Sequence, residues 1–228
     1  MSKTISVITP VLNGEKHLDK AINSILAQTY PIHEILVVDG GSIDQTAAIA
    51  QSYPEVTLLQ QSGTGLANAR NTGIQAVTGE FVAFLDHDDL WHVDKLQQQI
   101  TYFEQNPATQ YVITQLKFVL EDGCQPNAAY TAQSFEMIHN GCTPSALLIR
   151  RSLFAEIGEF KEAFKIGCDA DWFSRARDAK VSQGVIQQVL TYKCIHEGNL
   201  SGNVDTNRDE LVEIVLQSLR RRRQRSKS

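Results

Sequence analysis

The chain has 228 residues, of which 42% are hydrophobic, and its formal net charge is −5. This length and composition are typical of one large globular domain, and an acidic chain is not expected to bind nucleic acid across its surface. No run of about 20 apolar residues is present, so we expect neither a membrane-spanning helix nor an export signal. Its 4 cysteines are widely spaced and form no C-x-x-C pair, which predicts reduced thiols in a cytoplasmic protein.

The first half of the chain alternates between strand-like and helix-like segments. Strands are predicted near residues 4–11, 34–39, 56–60 and 80–85, and helices near residues 15–28, 44–53, 66–77 and 92–104. Because strands that alternate with helices form parallel sheets covered on both faces, this half predicts an α/β fold with a mostly parallel sheet.

After Pro107 the segments become longer and less regular. Strands are predicted near residues 111–120 and 145–150, and helices near residues 151–157 and 170–179. Residues 205–228 form a last amphipathic segment, which places Leu211, Ile214, Val215 and Leu219 on one helical face. This segment ends in a basic tail, residues 220–228, which contains only basic charges. Such a tail is either a solvated terminus or a contact with the anionic inner face of a membrane.

An apolar run at residues 81–85 ends abruptly in the carboxylates Asp86, Asp88 and Asp89. They follow a predicted buried strand at its carboxyl end, where open α/β sheets place ligands. Like charges this close repel, so a cation is expected to neutralise them, and oxygen ligands favour Mg²⁺ or Mn²⁺. For Asp89 a simple helix N-cap is an equally good interpretation.

Two further positions point to the same edge of the sheet. Asp39 ends the second predicted strand, where its carboxylate can accept a hydrogen bond from a base or a ribose, or can simply form a turn with the glycines that follow. Arg70 opens a predicted helix nearby and can pair with the acidic cluster or with phosphate.

The turn after the first predicted strand, residues 9–14, contains neither G-x-G-x-x-G nor G-x-x-x-x-G-K-[ST], the two common glycine-rich motifs that bind phosphate. Their absence from this turn argues against a dehydrogenase or a Walker-type ATPase.

Five motifs occur in order along the chain: T-P-V-L-N at 9–13, V-V-D-G-G-S-x-D at 37–44, A-R-N-x-G at 69–73, G-E-F-V-A-F-L-D-x-D-D-x-W at 79–91 and C-D-A-D-W-F-S-R at 168–175. Together they resemble the family 2 glycosyltransferases of the Rossmann-like GT-A fold over about residues 3 to 200. The resemblance implies a single domain over residues 1–204, with a nucleotide-sugar half at 1–106 and an acceptor half at 107–204.

The resemblance also implies roles for single residues. Pro10, Val11 and Asp39 match the positions that hold the nucleotide base, usually uracil. Asp86 and Asp88 match the D-x-D that binds a divalent metal, Mn²⁺ or Mg²⁺, and the nucleotide sugar. A UDP-sugar is therefore the expected donor.

In the second half, Asp169 matches the general base, which takes a proton from an acceptor hydroxyl while that hydroxyl attacks the anomeric carbon and inverts it. Asp171 is the competing candidate. His196 lies in a late H-x-G-x-x-S-like segment and is a candidate metal ligand or phosphate contact, whereas His17 belongs to no recognisable group and is expected at the surface.

Two positions depart from the family pattern. Leu12 stands where many relatives have a base-stacking tyrosine, and Gly40 replaces an aspartate. A donor with a guanine or thymine nucleotide is therefore the alternative to a UDP-sugar. The predicted activity is metal-dependent inverting transfer to a polysaccharide, glycolipid or protein acceptor, and the alternative is a sugar-nucleotide-binding or catalytically degenerate subunit.

Overall fold

The computed structural model of the chain describes residues 3–125, 130–200 and 204–225. The strands are β1 (Ile5–Val11), β2 (Glu34–Asp39), β3 (Val56–Gln60), β4 (Phe81–Phe84), β5 (Leu90–Trp91), β6 (Tyr111–Leu120), β7 (His139–Asn140), β8 (Leu147–Arg150) and β9 (Gln183–Ile195). The α-helices are α1 (Leu18–Leu26), α2 (Thr46–Gln51), α3 (Leu66–Ala76), α4 (Lys95–Gln105), α5 (Ala132–Glu136), α6 (Leu153–Ile157), α7 (Cys168–Asp178) and α8 (Val204–Arg225).

The strands of the described residues form one mixed sheet in the order β3-β2-β1-β4-β8-β6-β9-β5, with β7 beside β6. Strands β1 to β4, β6 and β9 run in one direction, and β5, β7 and β8 run in the other. The predicted α/β fold with a mostly parallel sheet is therefore confirmed. Because β1 lies between β2 and β4, the carboxyl ends of these three strands form one edge.

Helices cover both faces of the sheet, because the side chains of the central strands alternate between them. In β4, Phe81 and Ala83 pack with residues of α1 and α4, while Val82 and Phe84 pack with residues of α3, α6 and α7. The aromatic side chain of Trp172 in α7 is fully buried in the second of these layers. This layer fixes α7 against the sheet.

The long strand β9 is the main element that the sequence pattern does not predict. Polar side chains at Gln187 and Gln188 interrupt its alternation, and its parallel register with β6 shifts around Gln115. At its carboxyl end β9 pairs with the short strand β5. This pairing brings Lys193 and His196 to the acidic loop that follows β4.

The last helix, α8, contacts the body of the protein with a mostly polar face. Ile214 is buried against the layer that contains α7, but Leu211, Val215 and Leu219 remain exposed. The basic residues up to Arg225 lie within this helix, and the remainder of the predicted tail, 226–228, is outside the described residues. Within the described ranges no helix is long and apolar enough to cross a bilayer.

Asp178, at the end of α7, is the main anchor of the basic end of α8. Its Oδ1 accepts hydrogen bonds from Ser218 Oγ at 2.9 Å and Arg222 Nε at 2.8 Å, and its Oδ2 accepts one from Arg221 Nε at 2.9 Å. Burial raises the pKa of Asp178, but these hydrogen bonds outweigh burial and lower it. Part of the basic charge of α8 is thus neutralised within the protein.

We predict that Asp178→Asn reduces the free energy of unfolding at pH 7 by about 1–3 kcal/mol, because the amide cannot satisfy both arginines. A carboxyl whose pKa is lowered by folding stabilises above its unfolded pKa of about 3.9, and this stabilisation is lost as the pH falls through the folded value. Urea unfolding from pH 3 to pH 8 should therefore show a difference between wild type and variant that shrinks below about pH 4. Equal stabilities at pH 7 would contradict this role of Asp178.

Candidate active site

The site lies where the chain leaves the carboxyl end of β4. Leu85 N donates to Ile8 O at 3.0 Å and extends the pairing with β1, and Asp89 N donates to Asp86 O at 3.0 Å to close a tight turn. Asp86 N lies 3.2 Å from Ser145 Oγ. This acidic loop, residues 86–89, therefore presents its three carboxylates from a firmly held backbone.

Arg70 of α3 pairs with the first carboxylate of the acidic loop. Its NH2 donates to Asp86 Oδ1 at 2.8 Å, and its NH1 lies 3.5 Å from Cys168 Sγ at the start of α7. The guanidinium is 1% exposed, and its Nε has no hydrogen-bond partner among the described residues. Burial lowers the pKa of Arg70, but electrostatic interactions with Asp86, Cys168 and Asp169 raise it overall. Arg70 thus places a fixed positive charge between the acidic loop and α7.

Asp88 is held by two residues that follow β9. His196 Nε2 lies 3.1 Å from Asp88 Oδ2, and Asn199 Nδ2 donates to the same oxygen at 2.9 Å. Burial raises the pKa of Asp88, but the hydrogen bond from His196 and the charge of Lys193 lower it overall. The same hydrogen bond raises the pKa of His196. Asp88 is therefore a carboxylate at neutral pH.

His17, which the sequence suggested was a surface residue, belongs to this site. Its ring stacks on that of His196, with the centroids 4.7 Å apart, and its Nε2 lies 2.8 Å from Glu121 Oε1. Only 14% of its side chain is exposed. In the sequence, the indication that His17 lies near the site is its position just ahead of α1, near the carboxyl end of β1.

Asp89 is not a helix cap, because α4 begins six residues later and is preceded by Asp94. Its side chain is fully buried, and Lys193 Nζ lies 3.8 Å from its Oδ2. Burial and the charges of Asp88 and Asp86, opposed by Lys193, raise the pKa of Asp89 to about 7. Burial lowers the pKa of Lys193, but the three carboxylates of the acidic loop raise it overall. Lys193 was missed in the sequence because the strand that carries it was not predicted.

Asp39 occupies the neighbouring strand end. Its backbone pairs with Val11, so Pro10, Val11 and Asp39 lie side by side at the ends of β1 and β2. Its Oδ1 accepts from Ser42 N at 2.9 Å and Ser42 Oγ at 2.6 Å, and its Oδ2 accepts from Gln60 Nε2 at 3.1 Å. Burial raises the pKa of Asp39, but these bonds lower it. The side chain of Leu12, next to this group, is 56% exposed.

The two candidate bases at the start of α7 have different surroundings. Asp171 is fully buried, with Oδ1 3.2 Å from Lys161 Nζ and Oδ2 2.7 Å from Arg175 Nε. Asp169 is partly buried, and its Oδ1 accepts a hydrogen bond from Ala170 N at 2.8 Å. Burial and the charge of Asp86 raise the pKa of Asp169, although Arg70 opposes them. Asp171 is therefore committed to two ion pairs in the interior, and Asp169 is not.

The residue types at the acidic loop suit a divalent metal. No three acidic, histidine or cysteine side chains converge on one point among residues 3–125, 130–200 and 204–225. Mg²⁺ and related ions, however, are commonly held by one or two carboxylates together with water and substrate phosphates. Asp86 and Asp88 offer such carboxylates. His196 is less well prepared to bind a metal. Its Nδ1 accepts a hydrogen bond from Gly198 N at 3.1 Å, so its Nε2 holds the proton that faces Asp88.

Comparison with known proteins assigns the class of this fold. A family model described as "Glycosyl transferase family 2" matches residues 6–158. An uncharacterised glycosyltransferase of Rickettsia typhi is 32% identical over an alignment of 232 positions, which covers 87% of this chain and 72% of that protein.

Two solved structures share the fold. Staphylococcus aureus TarS 1–349 in complex with UDP-GlcNAc has a TM-score of 0.72 at 22% identity, over 88% of this chain and 61% of that chain. The mannosyltransferase PcManGT of Pyrobaculum calidifontis, in complex with GDP-Man and Mn²⁺, has a TM-score of 0.72 at 20% identity, over 96% of this chain and 65% of that chain. This chain thus spans less than two thirds of either one.

The sheet and its helices are those of the GT-A type, the fold of nucleotide-sugar-dependent glycosyltransferases. The chain belongs to glycosyltransferase family 2.

Proposed function

We propose that this chain transfers one sugar from a nucleoside diphosphate sugar to a hydroxyl group of a glycan or lipid-linked acceptor, with inversion at the anomeric carbon. The observation that carries the proposal is the position of Asp169 at the start of α7, where Arg70 lies between it and the acidic loop. In-line displacement requires a base on the acceptor side of the anomeric carbon and a group that binds the diphosphate on the opposite side. Asp169 and the acidic loop are placed to serve in these two roles.

Residues 1–106 form the donor half in this proposal, and residues 107–204 form the acceptor half. Pro10, Val11 and Asp39 hold the nucleotide base at the ends of β1 and β2. A UDP-sugar is the favoured donor. Because the solved relatives contain UDP-GlcNAc in one case and GDP-Man in the other, and because Leu12 leaves no stacking ring beside Asp39, a guanine nucleotide is the second choice.

The proposed metal ligands are Asp86, Asp88 and His196, of which His196 must first release the Nε2 proton that faces Asp88. When bound, Mn²⁺ or Mg²⁺ supplies positive charge that stabilises the departing diphosphate. The chain itself contributes the carboxylates of Asp86 and Asp88 and the fixed charge of Arg70, which holds Asp86 in place through the 2.8 Å hydrogen bond. His17 supports the ring of His196 by stacking on it.

Asp169 removes the proton from the acceptor hydroxyl. Its raised pKa makes it a stronger proton acceptor than an ordinary aspartate, and the charge of Arg70 opposes the rise. Asp171 keeps α7 in place through its two ion pairs and takes no part in the proton transfer.

A thermal-shift experiment tests the donor site. UDP, UDP-GlcNAc and GDP-mannose are added separately, with and without Mn²⁺. A nucleotide present at about 100 times its Kd adds about 2.7 kcal/mol to the stability, which is a clear rise in Tm. We expect stabilisation by one of the two donor types that is larger with Mn²⁺. If no nucleotide stabilises the protein, the proposed donor site is wrong.

The alternative of a binding subunit without transfer activity is separated by a second measurement. Each carboxylate of the acidic loop already has a basic partner in Arg70, His196 or Lys193, so the site would also be stable without chemistry. Release of nucleotide from the stabilising donor, with water or an added acceptor, distinguishes the two. Binding of the donor without release of nucleotide would support a binding subunit without transfer activity.

A contact with an anionic membrane surface is a further part of the proposal. The exposed side chains of Val212, Val215 and Leu219 lie on α8 next to the exposed arginines 220 and 223. An apolar stripe beside basic residues is the pattern of helices that lie in a membrane interface. Since Arg221 and Arg222 bind Asp178, the attraction is weaker than the number of basic residues suggests.

We predict that Arg220→Gln combined with Arg223→Gln weakens binding to anionic liposomes about 30-fold at low salt, because each basic residue near the surface contributes about 1 kcal/mol. Flotation with phosphatidylserine vesicles measures the effect. Lys16→Gln combined with Lys20→Gln, at exposed positions elsewhere, is the matched control. Unchanged flotation of the arginine variant would exclude this contact.

A further inference from the structure

Glu210 of α8 binds the backbone that leads into α7. Its Oε1 accepts a hydrogen bond from Lys165 N at 2.7 Å, and its Oε2 accepts from Ile166 N at 3.0 Å and from Gly167 N at 2.7 Å. One carboxylate from a distant part of the chain therefore satisfies three successive backbone N–H groups.

No side chain at the N-cap position of α7 can bind these N–H groups. Gly167 occupies the N-cap position of α7 and offers no side chain to cap the helix. The carboxylate also lies at the N-terminal, positive end of the helix dipole. Burial raises the pKa of Glu210, but the three backbone hydrogen bonds outweigh it and lower the pKa. Glu210 thus fixes the backbone that enters α7, up to its N-cap residue Gly167.

The close approach of α8 depends on the glycine at this cap. A Cβ atom on Gly167 would lie 3.0 Å from Ile214 Cδ1 and 3.3 Å from Glu210 Oε2. Since Ile214 is buried against the layer that contains α7, the apolar contact and the carboxylate cap reinforce each other. At the other end of α7, Asp178 binds Arg221 and Arg222 of the same helix. Helix α8 therefore holds both ends of α7.

We propose that Glu210 is a positioning residue for Asp169, which lies two residues beyond the segment that it holds. This inference rests on the proposed function, in which Asp169 is the general base. Without the three hydrogen bonds, residues 165–167 lose their fixed path and the start of α7 frays, so that Asp169 no longer keeps a constant distance from the reacting hydroxyl. Misplacement of a catalytic group by about 1 Å can lower a rate about 100-fold.

Glu210→Gln is the variant that tests this role, because it keeps the size of the side chain but turns an amide N–H towards one of the backbone donors. Asp209→Asn is the matched control: it removes the same charge from the adjacent position, where 78% of the side chain is exposed. Amide hydrogen exchange of residues 165–167 should accelerate about tenfold in Glu210→Gln and stay unchanged in Asp209→Asn.

A second measurement follows Asp169 itself. The carbon NMR signal of its carboxyl group, assigned by its loss in Asp169→Asn, reports how the side chain titrates among its charged neighbours Arg70, Asp86 and Lys193. In Glu210→Gln we expect a titration closer to that of an ordinary aspartate, since a frayed segment exposes the carboxyl to water. Turnover of the donor selected by thermal shift should fall about 10- to 100-fold, with the affinity for UDP and Mn²⁺ unchanged.

Wild-type exchange rates and an unchanged Asp169 titration in Glu210→Gln would overturn the inference, whatever reaction the chain catalyses. If instead Asp169→Asn keeps full turnover, the assignment of the base is wrong, and the exchange and titration results still decide whether Glu210 holds the segment. Should Glu210→Gln fail to fold, Glu210→Asp serves in its place, because it keeps the charge but is one methylene group too short to reach all three N–H groups.

Discussion

Asp169→Asn is expected to lower turnover by about 10²–10⁴-fold while leaving donor and metal affinity unchanged. The amide has nearly the shape of the carboxylate, so the contacts of α7 survive, but it cannot accept the proton of the acceptor hydroxyl. The measurement is the turnover number together with the dissociation constant of the donor. Because the base must be ionised, wild-type activity should fall as the pH drops through the pKa of Asp169, which burial raises. This acidic limb should be absent in the variant.

Asp171→Asn is the control for this experiment. Its carboxylate is fully buried and pairs with Lys161 and Arg175, so the variant should lower the stability of the protein while the folded fraction keeps most of its turnover. If Asp171→Asn is inactive when folded and Asp169→Asn is active, the base is Asp171. If both remain active, neither residue is the base.

Asp88→Ala is expected to abolish Mn²⁺-dependent binding of a nucleoside diphosphate, a loss of at least about 100-fold in affinity. Even residues that only support a metal ligand change metal affinity by about 10- to 100-fold, and Asp88 is proposed as a direct ligand. The variant also removes the partner of His196 and Asn199, which loosens His196, another of the three proposed ligands. Isothermal titration calorimetry with UDP, with and without Mn²⁺, measures the effect.

Two controls make the Asp88 result specific. Circular dichroism should show an intact fold, because Asp88 lies in a loop at the edge of the sheet and not in a core strand. Asp209→Ala, at an exposed position on α8, changes the net charge equally and should bind UDP and Mn²⁺ as the wild type does. Mn²⁺-linked affinity that persists unchanged in Asp88→Ala would remove this residue from the proposed metal site.

The Asp169 and Asp88 results test the two halves of one reaction separately. A variant of Asp169 that binds donor normally and a variant of Asp88 that does not would place proton transfer on α7 and diphosphate binding on the acidic loop. The Arg70 guanidinium, which hydrogen-bonds to Asp86 and lies beside Cys168, joins these two regions. We therefore expect the two losses to be distinct in kind, one in rate and one in affinity.

Local patterns in the sequence are sufficient for the α/β fold. The alternation of strands and helices up to residue 104 predicts the parallel strands β1 to β4 and the helices between them, because each element buries apolar residues at its own period. The same patterns place Asp39 and Asp86 at strand ends, where carboxyl edges of parallel strands meet. The order of the motifs was enough to identify the family, which the comparisons confirm.

Contacts between distant parts of the chain decided the rest. Lys193 reaches the acidic loop because β9 pairs with β5. His17 reaches the site because the start of α1 lies beside His196. No short motif in the sequence predicts either contact. The surroundings of Asp169 likewise depend on distant residues, because its charged neighbours Arg70 and Asp86 lie in the first half of the chain. A side chain's charge, burial and partners depend on what folds against it, whereas a sequence pattern reports only its neighbours along the chain. Glu210, 41 positions after Asp169 and bound to the backbone just before it, shows the limit of local patterns most clearly.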